Sequence, residues 1–145
     1  MANLFEKNDS KLARAADDIA GNMLGCLIDL YQTPVPLNED TALIDLQNVV
    51  ADYTGYAQGL LTWQDPSIAD DGEVECIGTC PVFRPTGTAV QNEIVGCFLT
   101  SDPAGGLLYF GPLDGQPISM HSATDSITVV VRYRPGTQSL TITIS

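Results

Sequence analysis

The chain has 145 residues, 44% of them apolar and 17% charged, and a net charge of −12. That length suits one domain with its own core, and the weight of Thr, Gly and Pro against few charges excludes a disordered chain and favours β structure and turns. The charge is lopsided: residues 15–83 hold twelve acids and no Lys or Arg, which argues against nucleic acid or an anionic membrane as a partner, since both draw on clustered cations.

No run approaches the roughly 20 apolar residues of a membrane span. The start, MANLFEKNDSKLARAADD, lacks the apolar stretch of a secretion signal, so the reading is of a protein made in the cytosol with Cys26, Cys76, Cys80 and Cys97 as reduced thiols. A Cys76–Cys80 disulfide is the alternative for an oxidising exterior.

In chain order, Ser10 is the expected cap of a helix running to about Ile19, with Leu12, Ala15, Ala16 and Ile19 on one side. Residues 1–20 thus read as an amphipathic amino-terminal arm, and 21–145 as a single β-rich domain. MLGCLIDLY, Met23 to Tyr31, reads as a buried strand, and the prolines of TPVP keep the next segment extended. Asp40 or Thr41 is placed to cap a second short helix in ALIDLQNVVAD, stopping before Gly55. GLLTW (Gly59 to Trp63), Glu73 to Ile77, IVGCFLT (Ile94 to Thr100) and LLYF (Leu107 to Phe110) follow as strands separated by turn-rich stretches. In SITVVVRYR and SLTITIS the apolar residues alternate strictly, so each strand has one buried and one wet face. Pro135-Gly136 between them predicts a type II turn and a hairpin. The fold class expected is mainly β, an antiparallel β-sandwich or jelly-roll-like domain with a short amino-terminal helix and one further short helix.

Catalytic chemistry finds little support. Cys76, Cys80, Cys97 and His121 lack the paired spacing of a zinc site, His121 with Asp125 and nearby serines has no nucleophile elbow, and the acids of DDGEVE follow no calcium-loop pattern. The expectation is a protein that is not an enzyme and uses no metal and no cofactor. Arg132 and Arg134, on the wet face of their strand, either pair with acids of the same chain or meet an acidic partner.

LYQTPVPLNEDTALIDLQNVVADYTGYA, Leu30 to Ala57, resembles an ordered pattern in small virion proteins of tailed bacteriophages: a strand ending in Leu-Tyr, a Thr-Pro loop, a short helix, then Tyr-Thr-Gly-Tyr leading into a strand. PISMHSATDSITVVVRYR, Pro117 to Arg134, resembles the late strand, polar turn and alternating strand of the same proteins. The resemblance implies a decoration or cement protein that binds the major capsid protein on the outer face of the head and forms a dimer or trimer. The alternative is a minor tail protein or a receptor- or carbohydrate-binding one, with Trp63, Tyr53, Tyr56 or Tyr109 as stacking platforms. The resemblance to decoration proteins places the protein on the capsid surface of a virion and makes Tyr53, Gly55 and Tyr56 a structural joint, in which glycine permits the turn and the tyrosines pin helix to sheet. The partner-binding candidates are Leu4, Phe5, Lys7, Lys11, Leu12 and Arg14 on the arm, with Arg132 and Arg134 on the sheet.

Overall fold

A computed structural model describes residues 4–23, 25–87, 92–101 and 106–145. Helix α1 (Asn8–Asp18) runs into a π turn at Ile19–Met23. Strand β1 (Leu27–Tyr31) and helix α2 (Leu43–Gln47) follow, then short strands β2 (Gly59–Leu60), β3 (Thr62–Trp63) and β4 (Ser67–Ile68). The remainder is β5 (Val74–Thr79), β6 (Asn92–Ile94), β7 (Gly96–Thr100), β8 (Leu107–Pro112), β9 (Ile118–Met120), β10 (Val129–Arg134) and β11 (Ser139–Ile144).

Among the described residues all pairings are antiparallel. One sheet has the order β2-β1-β7-β8, a second β11-β10-β5-β3 with β4 also on β5, and β6 pairs β9 separately. The two larger sheets face each other: Ile28, Leu30, Cys97 and Leu99 of the first meet Val129, Val131 and the half-buried Ile142 of the second. This is the sandwich that the composition and alternation predict, and burial of these side chains supplies its cohesion at about 25 cal/mol per Å² of apolar surface. On the far face of the first sheet, Tyr31 and Phe98 are covered by Leu46 of α2 and by Val95. With both faces covered, LIDLY has no wet side to mark with polar residues, and its period-two signal is absent.

The amino-terminal helix belongs to this core. Ala15, Ile19 and Met23 pack on Val74, Cys76 and Tyr133, the Tyr133 hydroxyl donates to Asp18 at 2.8 Å, and Trp63 Nε1 donates to the Met23 carbonyl at 3.0 Å. What projects is residues 4–7.

Several boundaries differ from the sequence-based expectation, each for a local reason. Helix α1 begins two residues before Ser10, because the Lys7 carbonyl accepts from the N–H groups of Ser10 and Lys11, both at 3.1 Å, and Asp9 then sits in the first turn where the helix dipole favours an acid. In α2 neither Asp40 nor Thr41 is the cap: Ala42 holds that position and the Asp45 carboxylate accepts its N–H at 3.2 Å. This helix ends at Gln47, because the Val49 carbonyl and the Ala51 N–H bond to Gln32 and Leu30 beside β1. GLLTW is split at Leu61, whose N–H reaches the Cys26 carbonyl at 3.0 Å while the flanking pairs join different sheets. The β10–β11 loop holds four residues between Arg134 and Ser139. Gln138, not Gly136, has the positive φ of 49°, and its N–H bonds the Pro135 carbonyl at 3.2 Å. The last ladder pair, Arg134 with Ser139, makes the loop two residues longer, both on its carboxyl side, than a type II turn centred on Pro135-Gly136.

Gly96 sits directly opposite Tyr31, and a Cβ there would overlap the hydroxyl end of the tyrosine ring. Gly96→Ala is expected to destabilise the domain by about 1–3 kcal/mol through forced overpacking, read as a lower urea midpoint at unchanged slope.

Candidate functional site

The joint at Asp52–Gln58 is assembled from backbone groups that leave α2 without regular pairing and therefore need side-chain partners. Asn92, 1% exposed, supplies them: its Oδ1 accepts from the N–H of Asp52 at 2.7 Å and of Tyr53 at 2.9 Å, and its Nδ2 donates to the Asp52 carboxylate at 2.8 Å. Gln32 completes this cluster, its Nε2 donating to Asp52 at 3.1 Å and to the Val50 carbonyl at 3.2 Å. Gly55 then turns the chain with φ at +84°, and a Cβ would stand 2.5 Å from Thr86 Oγ1, so both conformation and space call for glycine.

Tyr56 is the far post of the turn. Its hydroxyl donates to Asp29 at 2.5 Å and accepts from the Leu30 N–H at 3.1 Å, while Gln58 Nε2 holds the other Asp29 oxygen at 2.9 Å. Its ring stacks on Phe83 at 6.2 Å and meets Tyr53 edge-on at 5.2 Å. Burial pushes the Tyr53 phenol up to about 12, and burial followed by the Asp29 hydrogen bond raises Tyr56 further. Both stay protonated near neutrality, where a general acid or base would have to exchange a proton. Asn92, Asp29, Gln32 and Gln58 were not singled out from the sequence. The signal that marks one of them is Asp29 itself, an acid inside an apolar run.

The arginines lie on the outer face of the second sheet and are engaged within the chain. Arg132 pairs with Glu75, and Arg134 reaches Asp71 at 2.5 Å and Glu75 at 3.1 Å. Arg132, and then Arg134, hold the Glu75 carboxyl below its ordinary range, and Arg134 does the same for Asp71.

The arm residues have a different setting. Leu4 and Phe5 are 92% and 95% exposed. Arg14 pairs with Glu6, Leu12 is half-buried against the α1 cluster, and Lys7 is exposed. Lys11, Arg14 and Asp18 also border an open cleft of about 520 Å³ between α1 and the β10–β11 hairpin, with Glu73 and Gln138 opposite. The structure therefore places Lys11 and Arg14 on one cleft, turns Leu12 toward the core, leaves Leu4, Phe5 and Lys7 exposed, and sets Arg132 and Arg134 on a separate, neutralised face.

Among the described residues no three of His, Cys, Asp and Glu lie where they could hold a metal ion. All four cysteines are free thiols, so Cys76 and Cys80 are not bridged, and burial pushes Cys26 and Cys76 up to about 11 and Cys97 to about 12. Such thiols are poor nucleophiles. Asp125 accepts from the backbone N–H of His121 at 3.0 Å and of Ser122 at 3.1 Å, which closes a turn; the His121 ring lies 3.2 Å from the same oxygen. Tyr53 is 2% exposed and Trp63, Tyr56 and Tyr109 pack against the core, so none of the four stands out as a stacking platform. Among the described residues no helix is long and apolar enough to cross a membrane. No family model matches the chain, and no curated protein or solved structure matches it.

Tyr56→Phe leaves Asp29 and the Leu30 N–H short of a partner, at an expected cost of about 1–3 kcal/mol in urea unfolding. The acid limb of stability follows from Glu75 and Asp71, whose ordinary values are 4.5 and 3.8. Their folded-state values are depressed, so their contribution is fully present above those ordinary values and disappears as pH falls through the lower folded ones. Arg134→Ala is expected to flatten that decline, measured as urea midpoints between about pH 7 and 3.

Proposed function

We propose that this protein is a structural component of a tailed-bacteriophage virion, a decoration protein that binds the major capsid protein on the outside of the head through its amino-terminal segment. The observation that carries the reading is the exposure of Leu4 and Phe5, two large apolar side chains next to Lys7 and Lys11, on a domain otherwise dominated by acids. Exposed apolar residues in a cluster are covered when a partner is bound, and the flanking lysines select an acidic one. The engaged arginines, inert thiols and protonated tyrosines agree with a protein whose work is contact and not chemistry.

A clamp of this kind acts by mass action. It binds the assembled lattice and not separated subunits, so each copy bound lowers the free energy of the closed shell. Two attachments on one oligomer reinforce each other, because the second forms at the high effective concentration set by the first. The acidic face, free of Lys and Arg from Ala15 to Phe83, then keeps neighbouring particles apart.

Because α1 is built into the core, the informative deletion stops before it. Removing residues 1–6, which keeps the Lys7 carbonyl that starts α1, is expected to leave the circular dichroism spectrum unchanged and to lower co-sedimentation with empty heads at least about tenfold, a loss near 1.4 kcal/mol. Heads carrying the intact protein are expected to survive osmotic shock better than stripped heads. Unchanged occupancy after the deletion, or equal survival of the two kinds of particle, overturns the reading.

A further inference from the structure

The two sides of the sandwich are finished differently. On one side the sheets end in β2 and in β3 with β4, each two residues long, which is too short to template another strand. On the other side they end in β8 and β11, six residues each. β8 carries Pro112 and borders the ladder irregularity at Leu99/Thr100, both of which discourage further pairing. β11 has neither. Its sequence, SLTITI, is β-prone and free of charge and proline, and no Lys, Arg, Asp or Glu occurs from Pro135 to Ser145. A chain of net charge −12 repels its own copies over most of its surface, and this neutral edge is where a second copy can approach.

Hydrogen-bond phase says which groups are offered. Thr128 and Ser145 exchange both backbone bonds, at 3.0 and 3.1 Å. With the β10–β11 register, alternation of bonded and non-bonded pairs then assigns the β10-directed groups to Thr143, Thr141 and Ser139, and turns the N–H and C=O of Leu140, Ile142 and Ile144 outward. Among the described residues no strand lies beyond them. The same three side chains are only half-buried, and Leu140 and Ile142 border an open cleft of about 180 Å³ with Tyr109, Leu113, Cys97 and Leu99.

We propose that β11 pairs antiparallel with β11 of a second copy about a two-fold axis at Ile142, joining the two β11-edged sheets into one and closing the cleft between the copies. Opposed residues must share a face, which limits the register to like-facing pairs. The choice that uses every outward group places Ile142 against its counterpart and Leu140 against Ile144, with roughly six backbone bonds. A six-residue edge is about 20 Å long and the two layers are about 10 Å apart, so the contact is at the small end of specific interfaces and the dimer is concentration-dependent. The inference does not rest on the virion reading, and its failure would leave that reading standing.

Sedimentation velocity and disulfide trapping on the full chain test it together. In the proposed register Thr141 opposes Thr143 of the other copy as a non-bonded pair, about 4.5 Å between Cα atoms, within disulfide range, while each residue lies diagonal to its own counterpart at about 7–8 Å. The expected result is a monomer–dimer equilibrium and a crosslink that forms when Thr141→Cys and Thr143→Cys proteins are mixed, in large excess over either alone. Thr141→Lys with Thr143→Lys, both at exposed positions, is expected to weaken the dimer at least about tenfold without changing the circular dichroism spectrum. A monomer at every concentration up to about 0.5 mM, a trimer, a dimer indifferent to the two lysines, or a mixture that crosslinks no better than the single variants overturns the proposal.

Discussion

The carboxylate of Asp29 has to be satisfied from within the protein, because the strand that carries it is covered on both faces. Only 8% exposed, it is held by the Tyr56 hydroxyl and the Gln58 amide, and so the segment after α2 must return to β1. That return demands the turn at Gly55 and places Tyr53 and Phe83 against Tyr56. It also delivers Gly59 and Leu60 to the free edge of β1. A buried carboxylate without these partners would be far costlier than any packing defect nearby, which is why one acid organises thirty residues of chain around itself.

The same economy explains the quiet chemistry of the interior. Polar side chains that enter the core are committed to backbone or to one another, as Asn92 is to Asp52 and Tyr53, and no buried side-chain polar atom lacks a partner among the described residues. Groups that might otherwise react are either neutral through burial, as the thiols are, or tied into ion pairs, as Arg132 and Arg134 are.

Much of the second half of the fold was legible because alternation is a strong signal where one face is wet: Val129, Val131 and Tyr133 are buried as their spacing indicates, and Arg132 points outward. The first half was harder. Val49 and Val50 continue the helical spacing of Leu43 and Leu46, yet bonds to β1 draw them out of the helix, a tertiary effect that no local pattern encodes. GLLTW reads as one strand because a change of sheet at Leu61 leaves no mark in composition. At the candidate site, the tyrosines and Gly55 were visible as a turn motif, whereas Asn92 lies forty residues away in a segment of ordinary polarity. Leu4 and Phe5 were visible as apolar residues, but their exposure depends on α1 docking behind them.

Leu61 has a mechanical consequence. The chain passes from one sheet to the other within a single residue, with the Leu61 N–H fixed to the Cys26 carbonyl and its side chain in the core. Sheets joined by a long loop can slide or part while each remains intact. Here a displacement of either one pulls directly on the ladder of the other, so β1 and β5 lose their outer neighbours together. A load on this edge is therefore shared between the two layers, and β2 and β3 open together and not one by one.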